Sequence, residues 1–188
     1  LLMDTSMHEV LSKAAQIRLA IFDVDGVLTD GGLYFDEAGR ENKVFYSRDG
    51  HGLKMLQKAG VELAVISGRR TEAVTHRMTG LGVTHVYQGH QDKLPAYYEL
   101  LQRLQIKPEQ TAYVGDDVVD LPILLRVGLA VAVQDAHPLV VRHAHWQTTH
   151  PGGRGAARDV CELILEAQGR LQDLLQSYIA VDPLRRQV

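Results

Sequence analysis

Short apolar runs that stop abruptly in polar, glycine-containing loops recur along this chain. Arg18–Phe22 runs into "DVDG", Glu62–Ile66 into "SGRR" and Thr111–Val114 into "GDDVVD". Runs of this length, apolar without alternation, predict strands buried on both faces. Leu129–Val133 predicts another strand, Val86 and Tyr87 begin a further one, and Trp146–Thr148 predicts a last edge strand. Between the runs, apolar residues return at helical spacing. Met7, Val10, Leu11 and Ala14 predict a helix over Ser6–Ala15, with Ser6 as N-cap. Helices are also predicted over Asp49–Ala59, Thr71–Thr79, Lys93–Gln105, Leu121–Val127 and Ala157–Tyr178. Strands alternating with helices imply an α/β fold, a parallel sheet with helices on both faces. Leu33–Phe35 and Lys43–Tyr46 flank "DEAGREN" and predict a β-hairpin, an insertion over about residues 31–46 that interrupts the alternation. No repeat or linker divides the 188 residues, so a single domain over 1–188 is expected, its last helix and tail from about 157 to 188.

Composition changes this picture little. Apolar residues make up 45%, charged residues 23%, and the formal net charge is -3. The basic residues are scattered, which argues against a nucleic-acid groove but leaves room for a local anion site. Cys161 is the single cysteine, so no internal disulfide is expected. Asp120 and Arg126 interrupt the most apolar stretch, so no membrane span is expected. Asp4, Glu9 and Lys13 break up the start of the chain, and no signal peptide is expected there. Together these features predict a cytoplasmic protein.

The three polar loops carry the chemistry. In an open parallel sheet, ligands bind beyond the carboxyl ends of the strands. Adjacent strands would bring Asp23, Asp25, Ser67, Asp116 and Asp117 to one place, and Lys93 at the start of its helix could join them. Converging carboxylates need a counter-charge, which a hard, oxygen-ligating cation such as Mg²⁺ supplies. Beside a metal, one carboxylate can attack phosphorus and a second can move the proton of the leaving alcohol. A lysine and a hydroxyl can then hold charge on the transferring group. Asp23, Asp25, Lys93 and Ser67 match those four requirements.

"DVDGVLTD", "ISGR", Lys93 and "GDDVVD" resemble, in order, the four motifs of the haloacid dehalogenase (HAD) superfamily of phosphohydrolases. The resemblance implies a Rossmann-like HAD fold. It implies Asp23 as nucleophile, Asp25 as general acid/base with its backbone carbonyl on Mg²⁺, and Asp116 as a metal ligand. It places Ser67 and Lys93 on the phosphoryl oxygens and Asp120 in the outer shell, where Asp117 could share its role. Across nearly all of Ile17–Gln168, segments such as "RDGHGLKML", "AYVGDDVVDLP" and "GGRGAARDVCELIL" are similar to the phosphatases of 3-deoxy-D-manno-octulosonate 8-phosphate (KDO 8-phosphate). That family implies release of phosphate from an eight-carbon sugar acid, a precursor of bacterial lipopolysaccharide. Neither gap between the first three motifs is long enough for a cap domain. The family implies instead a homotetramer in which the hairpins pack together and neighbouring subunits complete each site. A sugar acid also presents a carboxylate, and arginine suits its bidentate recognition. Arg69 and its neighbour Gly68, Arg48 and Arg154 are the candidates for substrate binding. Two rival readings are the same chemistry on a nine-carbon sugar acid phosphate, and a noncatalytic assembly module.

Other features admit plain readings. Asp117 is equally a helix-start acid that complements the dipole. The glycines of "PGGRGAARD" fit a phosphate cradle or a connector before a helix. His143, His145 and His150 read as loop histidines rather than a zinc site, His51 as a substrate contact or a solvated helix start, and Cys161 as a core or interface thiol. Ala180–Val188 has no core pattern, and its composition permits a segment that docks near an active site.

Overall fold

A computed structural model describes residues 6–180, so the tail from Val181 onward lies outside the described residues. Six strands form one parallel sheet: β1 (Leu19–Phe22), β4 (Glu62–Ser67), β5 (His85–Gln88), β6 (Thr111–Gly115), β7 (Leu129–Ala132) and β8 (Trp146–Gln147), with β2 and β3 left to the hairpin. Their spatial order is β5-β4-β1-β6-β7-β8. Every neighbouring pair is parallel, β1 lying between β4 and β6. Sequence order runs outward on both sides of β1, which makes the carboxyl ends of β1 and β6 the switch point.

The two-residue period of the strands divides the core. Ala20, Phe22, Val65, Val114 and Val131 face a layer built from α1 (Met7–Ala15), α2 (Ser47–Lys58), α3 (Glu72–Leu81) and α7 (Ala156–Ala167). Leu19, Ile21, Ile66, Tyr113 and Ala130 face α4 (Leu94–Leu104), α5 (Leu121–Leu124) and α6 (Pro138–His143). Both faces of the central strands are therefore buried, which is why those segments read as unbroken apolar runs.

Several boundaries differ from the sequence reading. The hairpin pairs β2 (Tyr34–Phe35) with β3 (Glu41–Asn42), not with Lys43–Tyr46. Asp36 closes the turn early: its Oδ1 accepts from the amides of Ala38 and Arg40, each at 2.9 Å, and Gly39 adopts φ +75°. Helix α2 starts at Ser47 rather than Asp49, because the Asp49 carboxylate does not cap its own helix. It accepts from the backbone amides of Gly155 (3.4 Å) and Arg158 (2.9 Å) and so caps α7 from a distance. Helix α5 is shorter than expected, and six-residue α6 was too brief to show a period. The long C-terminal helix is two, α7 and α8 (Leu171–Ile179). Gly169, at φ +67°, breaks it. Gln168 then donates to the Ile17 carbonyl and Arg170 to the Ala59 carbonyl.

No described helix is long and apolar enough to cross a membrane.

Candidate active site

The carboxyl ends of β1, β4 and β6 open on a cavity of about 250 Å³. Its lining includes Asp23, Asp25, Ser67, Gly68, Arg69, Lys93, Asp116 and Asp117. The structure thus gathers eight of the sequence candidates. It does not bring in Arg48 or Arg154, neither of which lines the cavity. Arg48 is exposed near the start of α2. Arg154 is exposed and lies 3.9 Å from Asp30 Oδ2. Gln91 and Val119 line the cavity and were missed: Gln91 lies outside the four motifs, and Val119, though inside "GDDVVD", is an apolar position among acids that drew the reading; Gln91 Nε2 donates to the Gly68 carbonyl at 3.0 Å.

The floor is a buried polar cluster. Asp23 leaves β1 with its amide donating to the Val114 carbonyl of β6, which fixes its height over the sheet. Carboxylate oxygens of Asp23, Asp116 and Asp120 all lie within 4.8 Å of one another. Asp120 is saturated by the protein. Its Oδ1 accepts from Lys93 Nζ and Tyr113 OH, both at 2.7 Å, and its Oδ2 accepts from the amides of Asp116 (3.0 Å) and Asp117 (3.3 Å). That leaves Asp23 and Asp116 as the pair with carboxylate capacity for an ion. Lys93 bridges the cluster, 3.0 Å from Asp23 Oδ1. Asp117 accepts from its neighbour's amide, Val118 N, at 2.7 Å and caps a short 3-10 turn, so the capping half of its reading holds.

Burial, with the charge of Asp120 next, pushes Asp23 up to about 7 and Asp116 up to about 8. Burial works to lower Lys93, but Asp23 and Asp120 beside it prevail and raise it. Two carboxyl groups raised this far mark a site short of positive charge. A divalent cation held by oxygen ligands fits that deficit, and Asp23 and Asp116 are placed to supply them.

Gly26 makes the cluster sterically feasible. It adopts φ +85°, and a Cβ there would overlap Asp116 Oδ2. On its other side Gly152 packs against the Gly26 carbonyl so closely that a Cβ on Gly152 would overlap it, while Gly153 N donates to the Val27 carbonyl at 2.8 Å. The glycines of "PGGRG" therefore serve close backbone packing against the loop carrying Asp25, which neither reading of that segment anticipated.

The rim is different. Asp25 turns its carboxylate away from Asp23 and Asp116 and toward the hairpin. Its Oδ1 meets Lys43 Nζ at 2.5 Å, and its Oδ2 lies 4.0 Å from Arg69 Nε. Glu41 completes the group, accepting from Lys43 at 2.6 Å and from Arg69 Nη2 at 2.7 Å. Lys43 and Glu41 lie in the segment read only as a hairpin arm, where nothing in the periodicity marked them. Ser67, at the end of β4, is buried and accepts from the Arg69 amide at 3.3 Å.

A profile of the haloacid dehalogenase-like hydrolases matches residues 78–158. A 3-deoxy-D-manno-octulosonate 8-phosphate phosphatase of Yersinia pestis is 52% identical over 164 residues, 87% of this chain and 88% of the relative. The chain belongs to this phosphatase family. The family member of Escherichia coli K12 is 50% identical over 165 residues, 88% of each chain. A crystal structure of the phosphatase from Moraxella catarrhalis, in complex with magnesium ion, phosphate ion and KDO, superimposes with a TM-score of 0.90 at 39% identity and covers 92% of this chain and 99% of that one. Like these relatives in fold, the chain is a capless HAD-like phosphatase whose one insertion between the first two motifs, among the described residues, is the β2–β3 hairpin.

The remaining candidates fall outside the cavity. His145 Nδ1 accepts from the Ala130 amide at 2.8 Å, and His150 pairs with Asp159 at 2.9 Å. The three histidines form no metal-binding group among the described residues. His51 is exposed and stacks edge-on against Tyr178 with ring centroids 5.4 Å apart, a contact that joins α2 to α8. Cys161 is fully buried in the core, and burial pushes its thiol far up.

Proposed function

We propose that the chain releases phosphate from KDO 8-phosphate, a step toward lipopolysaccharide precursors, through an aspartyl-phosphate on Asp23. The observation that carries this reading is the convergence of Asp23, Asp116, Lys93 and Ser67 in one cavity with Asp25 at its rim. Asp23 attacks phosphorus in line. The bond to the sugar oxygen breaks, and Asp25 gives that oxygen its proton. Lys93 and Ser67 hold phosphoryl oxygens and orient the group. Water then attacks the phosphorus of the aspartyl-phosphate, Asp25 takes the proton of that water, and Asp23 is restored. Mg²⁺, held by Asp23, Asp116 and the Asp25 carbonyl, supplies positive charge against the phosphoryl oxygens when bound. Asp120 and Asp117 stand behind this set, Asp120 by fixing Lys93. Arg69 and Gly68 are assigned to the sugar acid, and Arg48 and Arg154 are assigned to it only across a subunit boundary, since both lie off the cavity of their own chain.

Assembly is part of the proposal. The hairpin exposes Leu33, Tyr34 and Phe35, with Val44 beside it, each 46–56% accessible. An exposed apolar arm of this kind supports packing among copies, in a homotetramer of the cytoplasm whose subunits close one another's sites. The test is phosphate release across a panel of phosphorylated sugar acids with and without Mg²⁺, beside sedimentation of the protein and a Phe35→Asp variant. Magnesium-dependent preference for KDO 8-phosphate by a tetramer is expected. Preference for a nine-carbon acid, or full activity from a monomer, overturns the corresponding part.

A further inference from the structure

The hairpin carries a buried lysine that its own stability does not require. The Lys43 side chain is 1% exposed, whereas Asn42 and Val44 on either side are exposed. Strands β2 and β3 are two residues each, too little surface to favour burying an ammonium group. Lys43 is drawn inward by Asp25 at 2.5 Å and Glu41 at 2.6 Å, and Glu41 in turn holds Arg69 at 2.7 Å. Arg69 lies 4.0 Å from the second oxygen of Asp25 and closes the circuit. Charges alternate around this ring, and each carboxylate meets two cations. The contact joins residues 18 apart in the chain, between the loop after β1 and the hairpin.

We propose that Lys43 is a positioning residue for Asp25, pinning one carboxylate oxygen at the rim so that the group faces the leaving oxygen and cannot swing onto the Asp23–Asp116 pair. This rests on Asp25 being the acid of the proposed reaction. The hairpin then has two duties: its exposed apolar residues meet other copies, and its inward-facing Glu41 and Lys43 set the geometry of proton delivery. A side chain that only anchored the hairpin would matter equally for every substrate. In kcat/KM, which covers steps only as far as the aspartyl-phosphate and not the later attack of water, one that orients the acid matters only when the leaving group needs a proton.

The experiment compares kcat/KM for KDO 8-phosphate, whose alkoxide must be protonated, with p-nitrophenyl phosphate, whose nitrophenolate leaves without help. Lys43→Met is expected to lose roughly 10- to 100-fold on the sugar phosphate, since misplacement of a catalytic group by an ångström costs about that much. On the aryl phosphate it is expected to lose less than about 3-fold, because acid catalysis is not used there. Asp25→Asn should show the same asymmetry with a larger loss, and the double variant should be no worse than Asp25→Asn alone. Equal losses of Lys43→Met on both substrates, with Asp25→Asn still asymmetric, overturn the positioning role and leave the reaction intact. Equal losses for Asp25→Asn overturn Asp25 as acid. Should Lys43→Met not fold, Lys43→Gln must show the asymmetry and Lys43→Arg must largely abolish it.

Discussion

The floor and the rim of this cavity hold charge in opposite ways. On the floor, Asp23, Asp116 and Asp120 face one lysine, and the sheet and α4 bury the group from below. At the rim, Asp25 and Glu41 face Lys43 and Arg69, two against two. The floor is electrostatically incomplete and calls for a cation; the rim is complete without one. The floor is set by strand register and turn backbone: the Asp23 amide donates to the Val114 carbonyl, the Asp116 carbonyl accepts from the His137 amide, and the Asp120 carboxylate accepts from two turn amides. The rim depends on a short hairpin whose tip is exposed. A site of this kind divides its work between a rigid centre that recruits metal and phosphate and a lighter frame that aims a proton.

The contrast can be broken most severely at the floor. Asp23→Asn should cut turnover by at least about 10⁴-fold while leaving the fold intact, because the nucleophile is gone. Steady-state kinetics beside a circular dichroism spectrum check this, and retained turnover removes Asp23 from the nucleophile role. Gly26→Ala should displace Asp116 and weaken Mg²⁺ by roughly 10- to 100-fold, the scale seen when groups supporting a metal ligand are lost. Titrating activity with Mg²⁺ measures it, and part of the rate should return at high Mg²⁺. An unchanged midpoint would mean Asp116 holds no ion.

A pH scan sharpens the same point. Asp23 and Asp116 are raised from 3.8 to about 7 and about 8 when no ion is bound. Folding then takes up protons, so their contribution to stability is fully present below about pH 4 and is lost as pH rises through about 7 to 8. Without Mg²⁺ the melting temperature should fall by several degrees between pH 5 and 8 from this contribution. With saturating Mg²⁺ that slope should flatten, since the ion replaces the protons. A slope identical with and without the metal would detach these carboxylates from it. The smallest effect is expected at the rim. Glu41→Gln releases Arg69 but keeps the Asp25–Lys43 contact, and kcat/KM should change by less than about 3-fold, as for partly exposed ion pairs generally. A loss as large as that of Lys43→Met would mean the ring acts as one unit.

What was legible along the chain divides along the same line. Asp23, Ser67 and Asp116 could be read because strand ends and their loops are local features: an apolar run, a glycine turn, an acid. Lys93 was legible by its order among the motifs. Lys43 and Glu41 were not, because the turn at Asp36 and Gly39 fixes the hairpin register, and a shift in register changes which residues face the site. The break at Gly169 was missed since the apolar spacing continues across it.

The sequence by itself determined the alternation of strand and helix, the identity of the acidic loops and the side chains able to do phosphoryl chemistry, all properties carried within a few residues. Only the tertiary structure decided that Asp120 is spent on Lys93, Tyr113 and two amides, that Asp25 turns toward Lys43, and that Asp49 caps a helix more than 100 residues away. Those pairings arise from loop closure and strand order, and no periodicity records which distant partner will satisfy a buried charge.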